Sequence, residues 1–242
     1  MCGLVGILGG VAPLGGQGDE ALIKRMADTI MHRGPDDAGY WCDSEQRISL
    51  GHRRLSIIDL SNAGHQPMQS GSGRYVIAFN GEIYNHLSLR QVLQGVNLAK
   101  TWCGHSDTET LLAGFEAWGI KETIEKAIGM FAIAVWDRSA NTLTLVRDRI
   151  GEKPLYYGWQ DDTFLFGSEL KALKQHPAFK SEINRDAIVL LLRHNYIPTP
   201  YSIYKGIAKL EPGCLLTVSL KCAEPSVTRY WSEAQVAVSG VA

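Results

Sequence analysis

Short apolar runs and amphipathic stretches follow one another along this chain, and their spacing predicts an α+β fold. Apolar or alternating runs predict strands at 4–8, 47–50, 55–58, 74–79, 130–136, 142–146, 155–159, 163–166 and 215–220. Apolar residues at helical spacing predict helices that begin near Asp19, Leu87, Asp107 and Asn184. Because the strands come in runs with the helices grouped between them, the sheets are predicted to be mostly antiparallel.

Composition narrows the class of protein. The chain has 242 residues, with 24 lysines and arginines against 25 acidic residues, so nothing favours nucleic acid or an anionic membrane surface as a partner. It lacks an apolar run near 18 residues and the zones of a signal peptide. Its five cysteines form an odd set without close pairs, which favours a reducing compartment over disulfides or a zinc site. We therefore expect a cytoplasmic protein that does not enter a membrane.

Cys2 is the first candidate for chemistry. It follows Met1, so removal of that methionine would leave a thiol and a free α-amine on one residue. An α-amine titrates close to physiological pH and can take the proton of the thiol, directly or through one water, during nucleophilic attack. The alternative is a chance cysteine at the start of a buried strand, and position alone leaves both interpretations open.

Three further segments contain candidate residues, each with a structural alternative. Arg54 could grip a carboxylate with its planar fork, or lie on the surface with its stem against a sheet. The pair Asn80-Gly81 is typical of a hairpin turn, but the Asn80 amide and the Gly81 N–H could also form an oxyanion hole. Asp107 could cap a helix or hold a substrate ammonium. With His105 and Glu109 it could also suggest a metal site, but the spacing and the lack of a fourth ligand speak against one.

Eleven segments occur in an order that carries a family resemblance. They are Cys2-Gly3, His32-Arg33-Gly34-Pro35-Asp36, Arg54-Leu55-Ser56-Ile57-Ile58-Asp59, His65-Gln66-Pro67-Met68, Asn80-Gly81-Glu82-Ile83-Tyr84-Asn85, Ser106-Asp107-Thr108-Glu109, Arg147-Asp148-Arg149-Ile150-Gly151, Lys153-Pro154-Leu155-Tyr156-Tyr157, Gly167-Ser168-Glu169-Leu170-Lys171, Tyr196-Ile197-Pro198-Thr199-Pro200 and Leu210-Glu211-Pro212-Gly213. Together they resemble the class II, N-terminal-cysteine glutamine amidotransferases, and most closely the glutaminase half of glutamine-hydrolysing asparagine synthetases.

The resemblance implies a four-layer αββα sandwich of two mostly antiparallel sheets, of the N-terminal-nucleophile (Ntn) hydrolase type. It implies hydrolysis of L-glutamine to L-glutamate and ammonia, with Cys2 as nucleophile, its own amine as base, and Asn80 and Gly81 as the oxyanion hole. The glutamine-binding residues that it implies are Arg54 at the α-carboxylate, Glu82 and Asp107 at the α-ammonium, and Leu55, Ser56, Ile57 and Ile58 lining the pocket. It implies neither a metal nor a cofactor for this step.

The resemblance also implies a division of the chain and a partner. We expect a glutaminase domain over 1–195 and a connecting segment over 196–242 toward an ATP-dependent synthetase domain. That domain needs ATP and Mg²⁺, and its Ser-Gly-Gly-x-Asp-Ser loop does not occur in this sequence. We therefore expect that the natural polypeptide continues or that a partner supplies the domain, with a homodimer implied by analogy. The ammonia acceptor could be aspartate or another carboxylate such as a uronic acid. A non-catalytic binding or assembly module of the same fold is the alternative of another class.

Overall fold

Within the residues that the structure describes, two six-stranded antiparallel sheets carry helices packed on them. The computed structural model describes residues 1–10, 16–95 and 101–240. The strands are β1 (Gly3–Gly9), β2 (Asp37–Asp43), β3 (Ile48–Arg54), β4 (Met68–Gln69), β5 (Tyr75–Ile83), β6 (Gly129–Asp137), β7 (Thr142–Arg147), β8 (Tyr156–Gln160), β9 (Thr163–Gly167), β10 (Ala208–Lys209), β11 (Cys214–Ser219) and β12 (Cys222–Arg229). The α-helices are α1 (Gly16–Asp28), α2 (His86–Gly95), α3 (Asp107–Trp118), α4 (Ile120–Lys126), α5 (Leu170–Leu173), α6 (Arg185–His194) and α7 (Glu233–Ser239). The predicted α+β class with antiparallel sheets is confirmed.

The first compact unit consists of Met1–Leu55 and Pro154–Glu211. Its sheet has the strand order β10-β8-β9-β1-β3-β2, in which β1 pairs with β3 on one side and β9 on the other. The helix predicted to begin near Asp19 is α1, which begins at Gly16. Its apolar residues share one face because they lie at helical spacing, and this face packs on the sheet of the first unit. Its core includes Val5, Ile7, Ile23, Met26 and Ile30.

Strand alternation in β3 separates the two adjacent arginines of this unit. Arg53 shares the α1 face of the sheet, where its Nη2 lies 2.7 Å from Asp28 Oδ1. Arg54 comes next along the strand, so its side chain lies on the opposite face, where it is 8% exposed. Arg53 therefore pairs with α1, and Arg54 remains the candidate for recognising a ligand.

The second compact unit consists of Ser56–Lys153 and Pro212–Ala242. Its sheet has the strand order β12-β11-β7-β6-β5-β4. The odd-numbered residues of β5 face the helices, and Ile77 and Phe79 share a buried core with Leu111 and Phe115 of α3. The even-numbered residues, including Asn80 and Glu82, therefore lie on the face of this sheet that points away from those helices.

The predicted turn at Asn80-Gly81 is wrong. Strand β5 continues through both residues, in register with β6 from Tyr75 opposite Asp137 to Ile83 opposite Gly129. A long antiparallel partner outweighs a dipeptide that would end the strand if it stood alone. The predicted strand at 47–50 is longer in the structure, where β3 runs without interruption to Arg54. The predicted strand at 55–58 is wrong, because these residues form no strand. Strand β2 was not predicted.

The helix starts agree in part with the sequence. Asn184 caps α6 as predicted, since its Oδ1 accepts hydrogen bonds from the N–H groups of Asp186 and Ala187. Asp107 does not cap α3, because Ser106 occupies that position and accepts from the N–H of Glu109. Residues 196–211 belong to the first unit and residues 212–240 to the second, and the proposed boundary after residue 195 stays a prediction. None of the described helices has the length and apolar character needed to cross a bilayer.

Candidate active site

Cys2 lies at the start of β1, half-buried, next to the end of β3. Its Sγ accepts a hydrogen bond from the Leu55 N–H at 3.3 Å and lies 3.5 Å from the Leu55 carbonyl oxygen. The pairing of Gly3 with Arg53 brings the two strand ends together and thereby sets this contact. The first unit thus places the predicted nucleophile beside Leu55, the residue that follows Arg54. Met1 is 57% exposed and accessible to removal.

A charged cluster holds the backbone of Cys2. Arg33 Nε donates to the Cys2 carbonyl oxygen at 2.9 Å, and Arg33 Nη1 lies 2.9 Å from Glu169 Oε1. Glu169 also contacts His32 at 3.1 Å and Lys171 at 3.0 Å. Burial alone would raise the pKa of Glu169, but the hydrogen bonds from Arg33 and Lys171 outweigh it, and the pKa lies below its ordinary value. Glu169 is thus a stable anion that orients Arg33.

In the second unit, one edge of β5 is left open beyond the short strand β4. At that edge the N–H of Phe79 donates to Gln66 Oε1 at 2.7 Å, and the N–H of Ile83 donates to Asp107 Oδ2 at 2.8 Å. Gln66 is 5% exposed, and its Nε2 donates to Thr108 Oγ1 at 3.2 Å. Side chains therefore replace a neighbouring strand on both sides of Gly81.

The N–H of Gly81 points to the same open edge. Its partner across the ladder, Phe131, bonds on the other side, to the N–H and the Oδ2 of Asp148 at 2.9 and 3.2 Å. Gly81 and Phe131 are thus a non-hydrogen-bonded pair, so the Gly81 N–H faces away from β6. In the described residues this N–H has no acceptor. A Cβ at residue 81 would lie 2.2 Å from the Met130 carbonyl oxygen, so only glycine fits here.

Asn80 supplies a second unpaired donor at this point of the strand. Its side chain is 1% exposed, and its Nδ2 has no hydrogen-bond partner in residues 1–10, 16–95 and 101–240. An unsatisfied buried donor costs about 1–3 kcal/mol, so it calls for an explanation. Two adjacent donors without acceptors suit an oxyanion, so Asn80 and Gly81 stay the candidates for that role.

Asp107 is one of the buried carboxyl groups of the second unit. It is 5% exposed in the first turn of α3, where it accepts from the N–H of Ile83. Burial raises the pKa of Asp107 to about 6, an effect that backbone hydrogen bonds from Ile83 and Thr108 oppose and the charge of Glu82 reinforces. Asp107 and Glu82 therefore form a local concentration of negative charge next to Gly81, which suits a substrate cation.

The loop before α3 is held by charged side chains. Glu109 accepts the N–H groups of Cys103 and Gly104, and Arg90 donates to the carbonyl oxygens of Gly104 and Ser106. Both carboxylate oxygens of Glu109 are thus engaged by the loop itself. Over the described ranges, the structure brings together no group of three or more potential metal ligands.

The predicted pocket segment that follows Leu55 lies in the second unit. Ser56 is half-buried, whereas Ile57 and Ile58 are 67% and 37% exposed. The segment ends at Asp59, whose Oδ2 accepts the N–H of His105 at 2.8 Å. It is thereby tied to the loop that leads to Asp107.

Sequence reasoning assigned no role to four residues that hold the candidates in place. Arg33, Gln66 and Glu169 lie within motifs that carried the family resemblance, which was the available signal. Arg90 lies in none of those motifs, and only the structure shows its contacts.

The chain is similar to known proteins in its sequence and in its fold. A family model described as a glutamine amidotransferase domain matches residues 1–231. The chain is 36% identical to asparagine synthetase [glutamine-hydrolyzing] 3 of Bacillus subtilis, over 88% of this chain and 34% of that protein. It is also 36% identical to the putative asparagine synthetase [glutamine-hydrolyzing] 2 of Methanocaldococcus jannaschii, over 96% of this chain and 46% of that protein. The chain thus spans less than half the length of these curated relatives.

A solved structure provides the comparison of folds. Glutamine phosphoribosylpyrophosphate amidotransferase from B. subtilis matches with a TM-score of 0.68 and 18% identity, over 96% of this chain and 50% of that one. At this identity the match shows the fold alone. It agrees with the predicted α+β fold of two antiparallel sheets.

Proposed function

We propose, since the chain belongs to the glutamine amidotransferase domain family, that it hydrolyses L-glutamine to L-glutamate and ammonia. We further propose that it does so as the glutaminase half of an asparagine synthetase. The observation that carries the proposal is the pair of donors at Asn80 and Gly81, both without an acceptor in the described residues. Asn80 is buried and Gly81 is half-buried, so both donors are available to an oxyanion of a bound substrate.

Cys2 acts as the nucleophile once Met1 has been removed. The α-amine of Cys2 takes the thiol proton while the sulfur attacks the side-chain amide carbon of glutamine. The negative charge that develops on the amide oxygen is stabilised by Asn80 Nδ2 and the Gly81 N–H. The carbon–nitrogen bond then breaks, the ammonium of Cys2 returns a proton to the leaving nitrogen, and a thioester and ammonia result. Water adds to the thioester, releases glutamate and regenerates the thiol.

Substrate recognition follows from the charges of glutamine. Its α-carboxylate requires a fixed cation and its α-ammonium a fixed anion. We assign the cation to Arg54 and the anion to Asp107 with Glu82, and we assign the lining to Leu55, Ser56, Ile57 and Ile58. Arg54 suits a carboxylate because its planar fork donates two parallel hydrogen bonds.

The partners of the reaction belong to the same proposal. The ammonia passes to an ATP-dependent synthetase domain that amidates aspartate, and ATP with Mg²⁺ serves that domain alone. None of the steps assigned to this chain uses them. We also propose that the protein works in the cytoplasm, where its five free cysteines stay reduced, and that it assembles as a homodimer.

Substitution of Cys2 and Asn80 tests this function. In protein with a Met-free N-terminus, verified by mass spectrometry, we expect Cys2→Ala to abolish glutamate release while glutamine still binds. Asn80→Ala should lower kcat by about 10²–10³, the usual loss for one oxyanion donor. Its folding stability should not fall, because the Asn80 amide donor makes no hydrogen bond within the described chain and its removal relieves the cost of an unsatisfied donor.

Asn62→Ala is the matched control, since Asn62 is exposed in a turn and should leave kcat unchanged. The proposal fails if the wild-type protein with a free Cys2 releases glutamate no faster than Cys2→Ala. That result would identify a non-catalytic binding or assembly module.

A further inference from the structure

Arg90 is a buried cation that lies outside the residues assigned to glutamine. It projects from α2 and is 8% exposed. Its Nε donates to Thr110 Oγ1 at 2.8 Å, and its Nη1 and Nη2 donate to the carbonyl oxygens of Gly104 and Ser106 at 2.9 and 2.7 Å. All these acceptors belong to α3 or to the loop that precedes it. One guanidinium therefore joins both ends of the segment that contains Asp107.

Glu109 holds the same loop, and Arg90 and Glu109 together are called the bracket below. Its Oε2 lies 3.3 Å from Arg90 Nη2, and it accepts the N–H groups of Cys103 at 2.6 Å and Gly104 at 3.1 Å. The ring of Trp102 covers the guanidinium, with its centroid 4.1 Å from the Arg90 Cζ. The ion pair is thus shielded from water and fixes the loop through both its donors and its acceptors.

The bracket leaves Asp107 with little freedom. Asp59 holds the N–H of His105, so the backbone is fixed at each residue from Cys103 to Ser106. The carboxylate of the next residue is then aimed at the N–H of Ile83, beside Gly81. Without Arg90 and Glu109 the segment would keep the contact of Asp59 with the His105 N–H and the Ser106 cap, but it would lose the contacts at Cys103 and Gly104.

We propose that Arg90 is a positioning residue for recognition of the α-ammonium of the substrate. It acts through the loop that sets the place of Asp107, and it does not touch the substrate itself. The inference rests on the proposed glutaminase function and adds to it a residue outside the site. Arg90 should consequently affect only substrates that carry the ammonium.

Two electrophiles test this selectivity on the processed protein. One is a diazoketone analogue of L-glutamine, and the other is the same diazoketone without the α-amine. We expect Arg90→Met to lower the rate of Cys2 alkylation by the first probe by about 10–100-fold, since small displacements of a charged partner have effects of this size. The rate with the second probe should stay within about twofold of the wild type. Arg90→Lys should fall between, because lysine cannot reproduce the fork.

The double variant with Asp107 separates a positioning role of Arg90 from general damage to the fold. Asp107→Asn should show the same selective loss, and the double variant should lose no more than Asp107→Asn alone, because residues acting through one contact are not additive. Arg74→Met is the matched control. Arg74 is also paired, with its Nη2 2.7 Å from Asp137 Oδ2, but it lies at the far end of β5. Its substitution should leave the ratio of the two alkylation rates unchanged.

Each failure has its own signature. If Arg90→Met slows alkylation by both probes equally, or by neither, the ratio of the two rates is unchanged. That result overturns the inference and leaves the proposed glutaminase function intact. If Arg90→Met does not fold, the same criteria apply to Arg90→Lys. A wild-type protein that reacts at Cys2 with neither probe contradicts the proposed function itself.

Discussion

Asp107 is a carboxyl group that the fold keeps away from water. Burial raises its pKa from the ordinary value of 3.8 to about 6. The folded state therefore binds more protons than the unfolded state between these values. The contribution of Asp107 to stability is accordingly lost as the pH rises through that window. The ionised form, which the proposed ammonium contact requires, dominates only above about pH 6.

Glutamine binding should therefore weaken in mild acid. We expect the Kd of glutamine for the Cys2→Ala protein to be nearly constant above pH 6 and to rise about tenfold per pH unit below it. Binding must ionise Asp107, whereas neither charged group of glutamine titrates between pH 5 and 7. Calorimetric titration at several pH values would measure this.

The same titration with Asp107→Asn in that background is the control. Asp107→Asn should bind glutamine weakly, with a Kd that does not rise further below pH 6. A Kd that stays constant from pH 7 to pH 5 in the Asp107 protein would contradict the assignment of the ammonium to this residue.

Single residues were predictable to the extent that their chemistry is local. That Asn80 and Gly81 supply donors could be predicted from the sequence, and in the described residues neither the Asn80 amide nor the Gly81 N–H has an acceptor. The Arg33 contact to the Cys2 carbonyl could not be predicted, because it joins residues whose proximity depends on the packing of the first unit. The roles in glutamine binding themselves stay predictions.

At the scale of elements, the open edge of β5 depends on a side chain. Gln66 replaces a missing strand by accepting the N–H of Phe79, and it also binds Thr108 of α3. Gln66 thereby connects β5, which carries the donors of Asn80 and Gly81, to α3, which carries Asp107. The turn prediction at Asn80-Gly81 missed this, since a dipeptide carries no information about a partner strand that begins about fifty residues later.

Removing the Gln66 amide should disturb both connected elements. We expect Gln66→Leu to lower the free energy of unfolding by about 1–3 kcal/mol, because it leaves the N–H of Phe79 buried without an acceptor. It should also lower kcat by about tenfold, since the donors on β5 lose their alignment. Urea denaturation and glutamate release would measure the two effects.

Gln69→Leu is the matched control, since Gln69 is exposed on β4. It should change neither quantity appreciably. If Gln66→Leu and Gln69→Leu unfold at the same urea concentration, Gln66 does not support the edge.

At the scale of the whole molecule, both units are built from separated stretches of chain. Residues beyond 195 contribute β10 to one sheet and β11 and β12 to the other, where Leu215, Leu216 and Val218 are buried. The strand pattern predicted the class of fold and the strand at 215–220. It could not predict this division, because pairing such as that of β1 with β9 joins residues far apart in sequence.

Two truncations follow from this arrangement. A chain ending at residue 195 should aggregate, because it exposes the edges of β7 and β8 to pairing with other molecules. A chain ending at residue 232 should fold and keep its activity, since the described element that it loses is α7, which buries no residue. Size-exclusion chromatography and circular dichroism distinguish the two. A monomeric, folded chain of residues 1–195 would instead support a domain that ends there.

The position of β9 between β1 and β8 has a consequence for synthesis on the ribosome. Translation proceeds at about 5–20 residues per second, so roughly 8–30 s pass between the emergence of β1 and that of β9. Throughout this interval one edge of β1 has no neighbour, and the nascent N-terminus remains accessible to an aminopeptidase. Because Met1 stays exposed in the folded protein, its removal does not depend on this interval, whereas the open edge of β1 can pair with other strands until β9 emerges.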